Sequence, residues 1–282
     1  MYAMIVLSHY QARPLLEARA AGVETAASSA DLNLTTCEVV LDAAGVGFPG
    51  GECVSWANLE HIAGAKNACF EVERDELREI RVFSEATDWV RSLYPTPGAP
   101  SMLVSGMVMH RVEGIDPMQD TLNKIRAVAP IVGHVLDTCT GLGYTAIEAA
   151  RTAEHVTTVE LDPASIAIAQ RSPWSRELFD NPRITRIIGD VWDVVETMED
   201  GAFARIIHDP PTFSFAGELY SGDFYAELHR VLSRRGRLFH YIGDPASKAI
   251  QRIMRGVIRR LGEAGFSRVT PSPRAFGVVA YK

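Results

Sequence analysis

Hydrophobic and polar positions divide the chain into two stretches with different periodicity. From residue 101 onward, short apolar runs of strand character alternate with longer segments of helical period. This alternation predicts an α/β fold with a doubly wound, mostly parallel sheet of seven strands, and the short link at 270–276 favours an antiparallel last strand. The strands are predicted at 134–137, 156–160, 184–188, 204–208, 237–242, 266–269 and 277–281, and the helices at 145–153, 163–171, 191–198, 223–233 and 245–264.

The pattern before residue 94 is mixed and predicts a smaller α+β domain. Residues 94–100 hold three prolines and a glycine, which disfavour both helix and strand. We therefore predict two domains, residues 1–94 and residues 101–282. In the first, helices are predicted near 12–21 and 55–63 and strands at 34–41, 69–72 and 80–83, with a hairpin turn at 73–77.

Composition is typical of a soluble globular protein. The 282 residues are 47% hydrophobic and 22% charged, which excludes wholesale disorder. No apolar run approaches the ~18 residues that span a bilayer, and no basic residue precedes the short apolar run at the N-terminus, so neither a membrane segment nor a secretory signal is predicted. The four cysteines are dispersed, without a CxxC pair or a Cys/His cluster. We therefore expect a cytoplasmic protein with no metal site.

Charge is distributed unevenly along the chain. The net charge is −7, but residues 1–229 carry −17 and residues 230–282 carry +10. The basic segment is either a surface that attracts an anionic substrate such as RNA or the solvated face of a helix. Its helical arginines are Arg252, Arg255, Arg259 and Arg260. The sequence leaves both interpretations open, and it also leaves the oligomeric state open, a homodimer included.

Acidic residues end four successive strands of the predicted sheet. The first belongs to a glycine-containing turn, Asp137-Thr-Cys-Thr-Gly141-Leu-Gly143, where a ligand can approach the backbone closely. Any one of these acids could instead cap the helix that follows it. Together they predict a ligand site along the carboxyl edge of the sheet. The four acids are Asp137, Glu160, Asp190 and Asp209.

The fourth strand leads into His-Asp209-Pro-Pro-Thr-Phe-Ser, whose prolines stiffen the backbone. We expect this rigidity to hold Asp209 against an amine or ring nitrogen, with Tyr220 reaching inward from the loop at 212–222. At the end of strand five, His240 is either a general base or a structural histidine. For four further residues the sequence leaves open whether they contact the substrate or only pack in the fold: His110, Trp174, Phe213 and Phe215.

This series of acids resembles the S-adenosylmethionine (SAM) site of class I methyltransferases, and the resemblance covers residues 101–282. The strings DTCTGLGYTAIEAA, SPWSRELF, HDPPTFSFAGELYS and GRLFHYIG resemble a little-characterised archaeal-type methyltransferase family, often labelled spermidine-synthase-like. The resemblance implies that Asp137 faces the methionine part of the cofactor, Glu160 the ribose and Asp190 the adenine. Cys139 departs from the family pattern, because it replaces the usual first glycine of the turn.

The implied catalytic residues are Asp209, His240 and Tyr220. The implied cofactor-binding residues are Asp137, Thr138, Cys139, Gly141, Gly143, Tyr144, Glu160, Leu161, Asp190, Val191 and Asp209.

Three functions compete for this pattern. The first is SAM-dependent methyl transfer to a nucleobase or amine nitrogen, with RNA as the favoured acceptor. The second is aminopropyl transfer from decarboxylated SAM, because residues 219–232 resemble a helix of spermidine synthases. Those enzymes, however, carry a second acid soon after the strand-four Asp, whereas here none follows Asp209 before Glu218. The third is a non-catalytic module that retains SAM, which the intact acid series disfavours.

Overall fold

The computed structural model describes residues 5–282. The first four residues, which begin the apolar run at the N-terminus, lie outside the described residues. The elements up to residue 108 are β1 (Ile5–Leu7), α1 (His9–Ala20), β2 (Thr25–Ser28), β3 (Cys37–Leu41), β4 (Gly45–Gly47), β5 (Cys53–Ser55), α2 (Trp56–Gly64), β6 (Phe70–Glu73), β7 (Glu76–Glu79), β8 (Arg81–Ser84), β9 (Trp89–Tyr94), β10 (Ser101–Val104) and β11 (Met107–Val108).

The elements after residue 108 alternate between helix and strand. They are α3 (Pro117–Val128), β12 (His134–Asp137), α4 (Tyr144–Ala150), β13 (His155–Glu160), α5 (Pro163–Gln170), α6 (Arg176–Asp180), β14 (Ile184–Ile188), α7 (Val191–Glu196), β15 (Phe203–His208), α8 (Gly222–Val231), β16 (Leu232–Tyr241), α9 (Lys248–Glu263), β17 (Arg268–Ser272) and β18 (Gly277–Tyr281). Among the described residues, none of these helices has the length and apolar character needed to cross a membrane.

The chain forms two compact units. The first holds the chain up to Met118 together with Ala164–Arg176, and the second holds Gln119–Pro163 and Glu177–Lys282. This division differs from the predicted boundary at residues 94–101. The prolines there do interrupt both helix and strand, but β9 pairs with β10 across them, with Tyr94 opposite Ser101. The proline-rich segment is therefore a connection within one sheet.

The second unit is built on a seven-stranded sheet with the order β14-β13-β12-β15-β16-β18-β17. Strands β14, β13, β12, β15 and β16 are parallel neighbours, and β18 runs antiparallel to both β16 and β17. The predicted fold, a mostly parallel seven-stranded sheet with an antiparallel last strand, is confirmed. Apolar runs at the strands and helical spacing between them predict this alternation of strand and helix along the chain.

Helices α7, α8 and α9 share one hydrophobic core with this sheet. Helix α8 begins at a capping residue, Ser221, whose hydroxyl accepts a hydrogen bond from the Phe224 backbone N–H at 3.1 Å. In α9, Val257 and Leu261 are buried and Ile253, Met254 and Ile258 pack against the core. This apolar face therefore holds α9 against the rest of the unit.

The first unit contains three small antiparallel sheets among its described residues, with the orders β1-β6-β7, β2-β3-β4-β5 and β11-β10-β9-β8. Strand β3 begins at Cys37, three residues later than predicted. The hairpin turn predicted at 73–77 consists of residues 74–75 only, between β6 and β7. The strand predicted at 80–83 pairs with β9 in a different sheet. Residues 164–176 join this unit through an Arg171–Glu71 ion pair at 2.6 Å and a hydrogen bond from Arg91 to Ser165 at 3.0 Å.

Candidate active site

Four acidic residues follow one another along a single edge of the large sheet. Because the strands that carry them are parallel neighbours, their carboxyl ends meet in the order Asp190, Glu160, Asp137 and Asp209. The chain winds from β12 toward β14 on one side and toward β16 on the other. Asp137 and Asp209 flank the point where this winding reverses, which is the usual ligand position in open α/β sheets.

Asp137 ends β12 and is fully buried. One carboxylate oxygen accepts a hydrogen bond from Thr145 at 3.0 Å, and the other accepts one from Thr158 at 2.6 Å. Burial raises the pKa of Asp137 to about 7, although the two threonine hydroxyls favour the ionised form. Within the described residues Asp137 is held by hydroxyl groups and by no cation, so a positive charge placed beside it would be favourable.

The turn after Asp137 has the left-handed backbone that glycine permits. Gly141 has a φ of 52° and Gly143 a φ of 80°, and a Cβ on Gly143 would lie 2.6 Å from a methyl carbon of Leu178. The Gly141 N–H donates to Glu160 at 2.8 Å, and the Asp162 N–H donates to the other oxygen of that carboxylate at 3.1 Å. The turn and the end of β13 therefore form one local structure.

Asp190 and its neighbours lie at the far end of the edge. Asp190 is exposed and caps α7, because its carboxylate accepts the Trp192 N–H at 2.8 Å, while Val191 is the buried first residue of that helix. The helix-capping interpretation of Asp190 is therefore correct, and it leaves the adenine contact a prediction. Apolar side chains are exposed beside it: Leu161 is 58% and Ile188 50% accessible, surface that a planar ring could cover.

Asp209 has a partner that the sequence did not indicate. Its Oδ2 accepts from the Lys124 ammonium at 2.6 Å, and Lys124 also lies 3.1 Å from a carboxylate oxygen of Asp120 and 4.7 Å from the Tyr241 ring centroid. Lys124 is almost completely buried, and this burial lowers its pKa, but the two carboxylates outweigh it and raise the pKa well above the ordinary value. A charged lysine is therefore shared between Asp120 and the fourth acid of the series.

Hydrogen bonds of His208 and Tyr220 hold the segment around Asp209 in place. His208 accepts from the Thr138 hydroxyl at 2.8 Å through Nδ1 and donates to the Leu219 carbonyl at 3.0 Å through Nε2. Burial lowers the pKa of His208 to about 4, so the ring is neutral. Tyr220 is buried and donates its hydroxyl to the Pro211 carbonyl at 3.0 Å, and burial raises its pKa. Tyr220 thus fastens the Pro-Pro turn.

His240 is fully buried in an aromatic cluster. Its Nε2 lies 2.8 Å from the Tyr225 hydroxyl, and its ring centroid is 4.4 Å from that of His208. Burial lowers the pKa of His240 well below the ordinary value, which makes it a weak base. The structure therefore favours the structural interpretation of this residue.

The other predicted residues occupy varied positions. Tyr144 is buried at the start of α4, and Cys139 is a free, partly buried cysteine whose thiol pKa is raised by burial and by the Glu160 carboxylate. Phe213 and Phe215 are 45% and 47% accessible, so neither packs in the core. His110 and Trp174 belong to the first unit, where they bond to the Ser101 hydroxyl and the Leu32 carbonyl.

Lys124, Asp120, His208, Thr145 and Thr158 were missed by sequence reasoning. The spacing of Asp120 and Lys124 by four residues predicts a pair on one helix face, but nothing local indicates that the face is buried against Asp209. The Asp209 contact spans 85 positions in the chain. Such a contact follows only from the assembled sheet.

Comparisons with known proteins agree with this fold. No protein-family model matches the chain. Among solved structures, the spermidine synthase from Thermotoga maritima superposes with a TM-score of 0.56 at 18% identity, over 75% of this chain and 77% of that one. MnmC2 from Aquifex aeolicus superposes with a TM-score of 0.50 at 16% identity, over 67% and 70% of the two chains. At these identities the likeness shows a shared fold, the class I methyltransferase-like fold.

A sequence relative is much closer. The uncharacterized protein MJ1233 from Methanocaldococcus jannaschii is 42% identical over 237 residues, which are 83% of this chain and 80% of that protein. An identity this high over most of both chains shows common descent. The chain belongs to the same family as MJ1233.

Proposed function

We propose that this protein is a SAM-dependent methyltransferase that transfers a methyl group to a neutral nitrogen atom of its acceptor. The observation that carries the proposal is the contrast between Asp137, which is held by threonine hydroxyls alone, and Asp209, whose carboxylate is paired with the buried Lys124 ammonium. The first suits a cofactor with a positive centre, and the second suits an uncharged acceptor.

The residues present fit SAM. Gly141 and Gly143 have the left-handed backbone that lets a ligand approach closely, and Glu160, which ends β13 beside this turn, is the carboxylate to which ribose hydroxyls would donate. Leu161 and Ile188 offer exposed apolar surface to an adenine ring. When bound, SAM would supply an electrophilic methyl group on a sulfonium. The cofactor residues implied by the resemblance remain the candidates for this contact.

Asp209 is the candidate for orienting the acceptor. Lys124 holds Oδ2, while Oδ1 accepts no hydrogen bond within the described residues, so it is available to an acceptor N–H. The Asp209 side chain is 21% accessible, which provides a route to solvent for the proton that the methylated nitrogen releases. Alignment of acceptor and methyl group then provides most of the rate enhancement.

Lys124 also argues against a polyamine acceptor. An aminopropyl transferase must bind a cationic amine, and the acid that would receive it already holds a buried ammonium at 2.6 Å. A polyamine would have to displace Lys124 or accept a like charge beside it. The likeness to spermidine synthase is a likeness of fold, and fold does not decide the reaction.

The first test is cofactor binding, measured by calorimetry with SAM. Glu160→Gln keeps the shape of the side chain and removes the charge-assisted acceptor, so affinity should fall about 10- to 100-fold. Glu154→Gln is the matched control, because Glu154 is exposed immediately before the opposite end of the same strand. Equal affinity in the two variants would remove Glu160 from the site, and a wild type that does not bind SAM would overturn the proposal.

The second test separates the two reactions. The purified protein is given SAM with a labelled methyl group and fractionated cell extract, and in parallel decarboxylated SAM with putrescine. We expect label in an extract fraction and no spermidine. Formation of spermidine would assign aminopropyl transfer instead.

A further inference from the structure

The exposed face of α9 carries a line of positive charge. Lys248, Arg252, Arg255 and Arg259 are all exposed and follow one another at spacings of four, three and four residues. These spacings place them on one side of the helix, over about 16 Å at 1.5 Å per residue. We call these four residues the cationic stripe.

The stripe is not neutralised by the protein. Arg259 pairs with Glu263 at 2.7 Å, the one acidic residue of α9, whereas Lys248, Arg252 and Arg255 make no ion pair within residues 5–282. Other arginines of the same unit do have acidic partners, for example Arg151 with Glu148 and Arg230 with Asp200. Three of the four charges of the stripe therefore remain without an acidic partner within residues 5–282, and they follow one another along one helix face.

Arg260 does not belong to the stripe, although the sequence grouped it there. Its Nε donates to the Tyr220 carbonyl at 2.8 Å, and its guanidinium would contact a Cβ at Gly256. Arg260 thus ties α9 to the segment that follows the Asp-Pro-Pro turn. The stripe and the candidate acceptor site are parts of one packed region.

The direction of α9 brings one end of the stripe toward the acceptor side. Helix α9 begins seven residues after Tyr241, which ends the strand beside the one that leads to Asp209. Lys248 is therefore near the carboxyl edge of the sheet, and the later arginines lead away from it. Exposed aromatic rings, Phe213 and Phe215, lie just after Asp209 in the chain.

We infer that the cationic stripe docks the phosphate backbone of RNA whose unpaired loop presents a base to Asp209. A nucleic-acid strand carries one negative charge per nucleotide, so a stripe about 16 Å long can contact several successive phosphates. Exposed aromatic rings suit unpaired bases, which RNA presents in loops. The inference rests on the proposed function, because it names the acceptor of that reaction.

A membrane surface fits this face less well. A basic amphipathic helix binds lipid through its apolar side, but the apolar side of α9 is buried in the core through Val257 and Leu261. The large side chains that α9 exposes are mainly charged, Lys248, Arg252, Arg255 and Arg259, which matches a phosphate backbone.

The test compares two double charge reversals that change the net charge equally. Arg252→Glu/Arg255→Glu alters the stripe, and Arg183→Glu/Arg234→Glu alters exposed arginines near the amino ends of β14 and β16, at the sheet edge opposite the four acids. The probes are an RNA hairpin with an unpaired loop, its blunt duplex stem, phosphatidylserine vesicles and polyglutamate. Binding is followed by anisotropy for the two RNA probes and polyglutamate, each carrying a fluorophore, and by co-sedimentation with the vesicles, all across a salt series.

We expect the stripe variant to bind the hairpin at least about tenfold more weakly, with the salt slope smaller by about 1.4–1.8, since two phosphate contacts are lost. The control should resemble the wild type, and the hairpin should bind more tightly than the stem. Equal loss in both variants, or tighter binding to vesicles or polyglutamate, would overturn the inference.

Calorimetry with SAM separates this inference from the proposed function. If the wild type binds SAM but no RNA at low salt, the docking inference fails and the methyltransferase proposal stands. If it binds RNA through the stripe but not SAM, the proposed function fails.

Discussion

The two halves of the carboxyl edge hold their acids in opposite ways. On the β12–β13 side, threonine hydroxyls hold Asp137 and backbone N–H groups donate to Glu160, and Asp137 has no cationic partner among the described residues. On the β15 side, Asp209 is joined to Lys124, which also faces Asp120. Residues of the same type, one strand apart, therefore present different charge to a ligand.

This difference indicates how one sheet edge could separate a cofactor from an acceptor. A site whose acids lack counter-ions favours a positively charged group, and burial strengthens that preference because the local dielectric is low. An acid that is already paired with a buried ammonium still accepts hydrogen bonds but gains less from a second cation. Single substitutions can change the β12–β13 side or the β15 side of this edge and leave the other side intact.

The largest effect should come from Lys124→Met. Removing the ammonium leaves Asp209 and the buried Asp120 without their counter-ion, and breaking a buried pair in this way costs about 3–5 kcal/mol. Urea unfolding should show this loss, and Lys124→Met/Asp209→Asn should recover part of it. A loss below about 1 kcal/mol would show that the lysine and the two acids do not interact in solution.

A second, smaller effect should be the pH dependence that Asp137 confers on stability. Burial raises its pKa from the ordinary value to about 7, so the folded state binds the proton more tightly than the unfolded state. The stability gained from the protonated form is complete below about pH 4 and is lost as pH rises through about 7.

Asp137→Asn removes this titration. Its unfolding free energy relative to the wild type should therefore rise by roughly 2–4 kcal/mol between pH 4 and pH 8. Unfolding of both proteins in urea across this range provides the measurement. A constant difference would mean that Asp137 titrates normally. In the wild type, SAM affinity should increase over the same range, since the ionised carboxylate attracts the cation.

The sequence predicts the cofactor half of the edge better than the acceptor half. Asp137, Glu160, Asp190 and Asp209 each end a strand, and parallel topology alone brings such residues to one edge. Lys124 was not predictable, because its partner lies 85 positions away and depends on how α3 packs. Tyr220 and His240 were predicted to act on substrate, but buried polar groups must find partners. The Tyr220 hydroxyl donates to the Pro211 carbonyl, and His240 Nε2 lies against the Tyr225 hydroxyl.

The first unit was predicted less well for a related reason. Its helices were placed correctly, whereas the strand predicted at 80–83 joined β9 and not β6. Pairing among short antiparallel strands depends on contacts distant in the chain. In the second unit, each helical connection restricts the order of the parallel strands. The proline-rich segment was misread as a boundary because prolines interrupt strands equally well inside a sheet and between domains.

The smallest expected effect concerns Asp190, where helix capping and ligand binding can be separated. Asp190→Ser keeps a side chain that caps α7 well, so the unfolding free energy should change by less than about 0.5 kcal/mol. The short hydroxyl lacks the reach and charge of the carboxylate, so SAM affinity should still fall by about three- to tenfold if Asp190 accepts a hydrogen bond from adenine. Asp190→Ala loses both roles and should cost about 1 kcal/mol of stability as well. Urea unfolding and calorimetry with SAM on the two variants separate the two roles. Unchanged SAM affinity in both variants would assign Asp190 to helix capping alone. The cofactor half of the edge would then consist of Asp137 and Glu160.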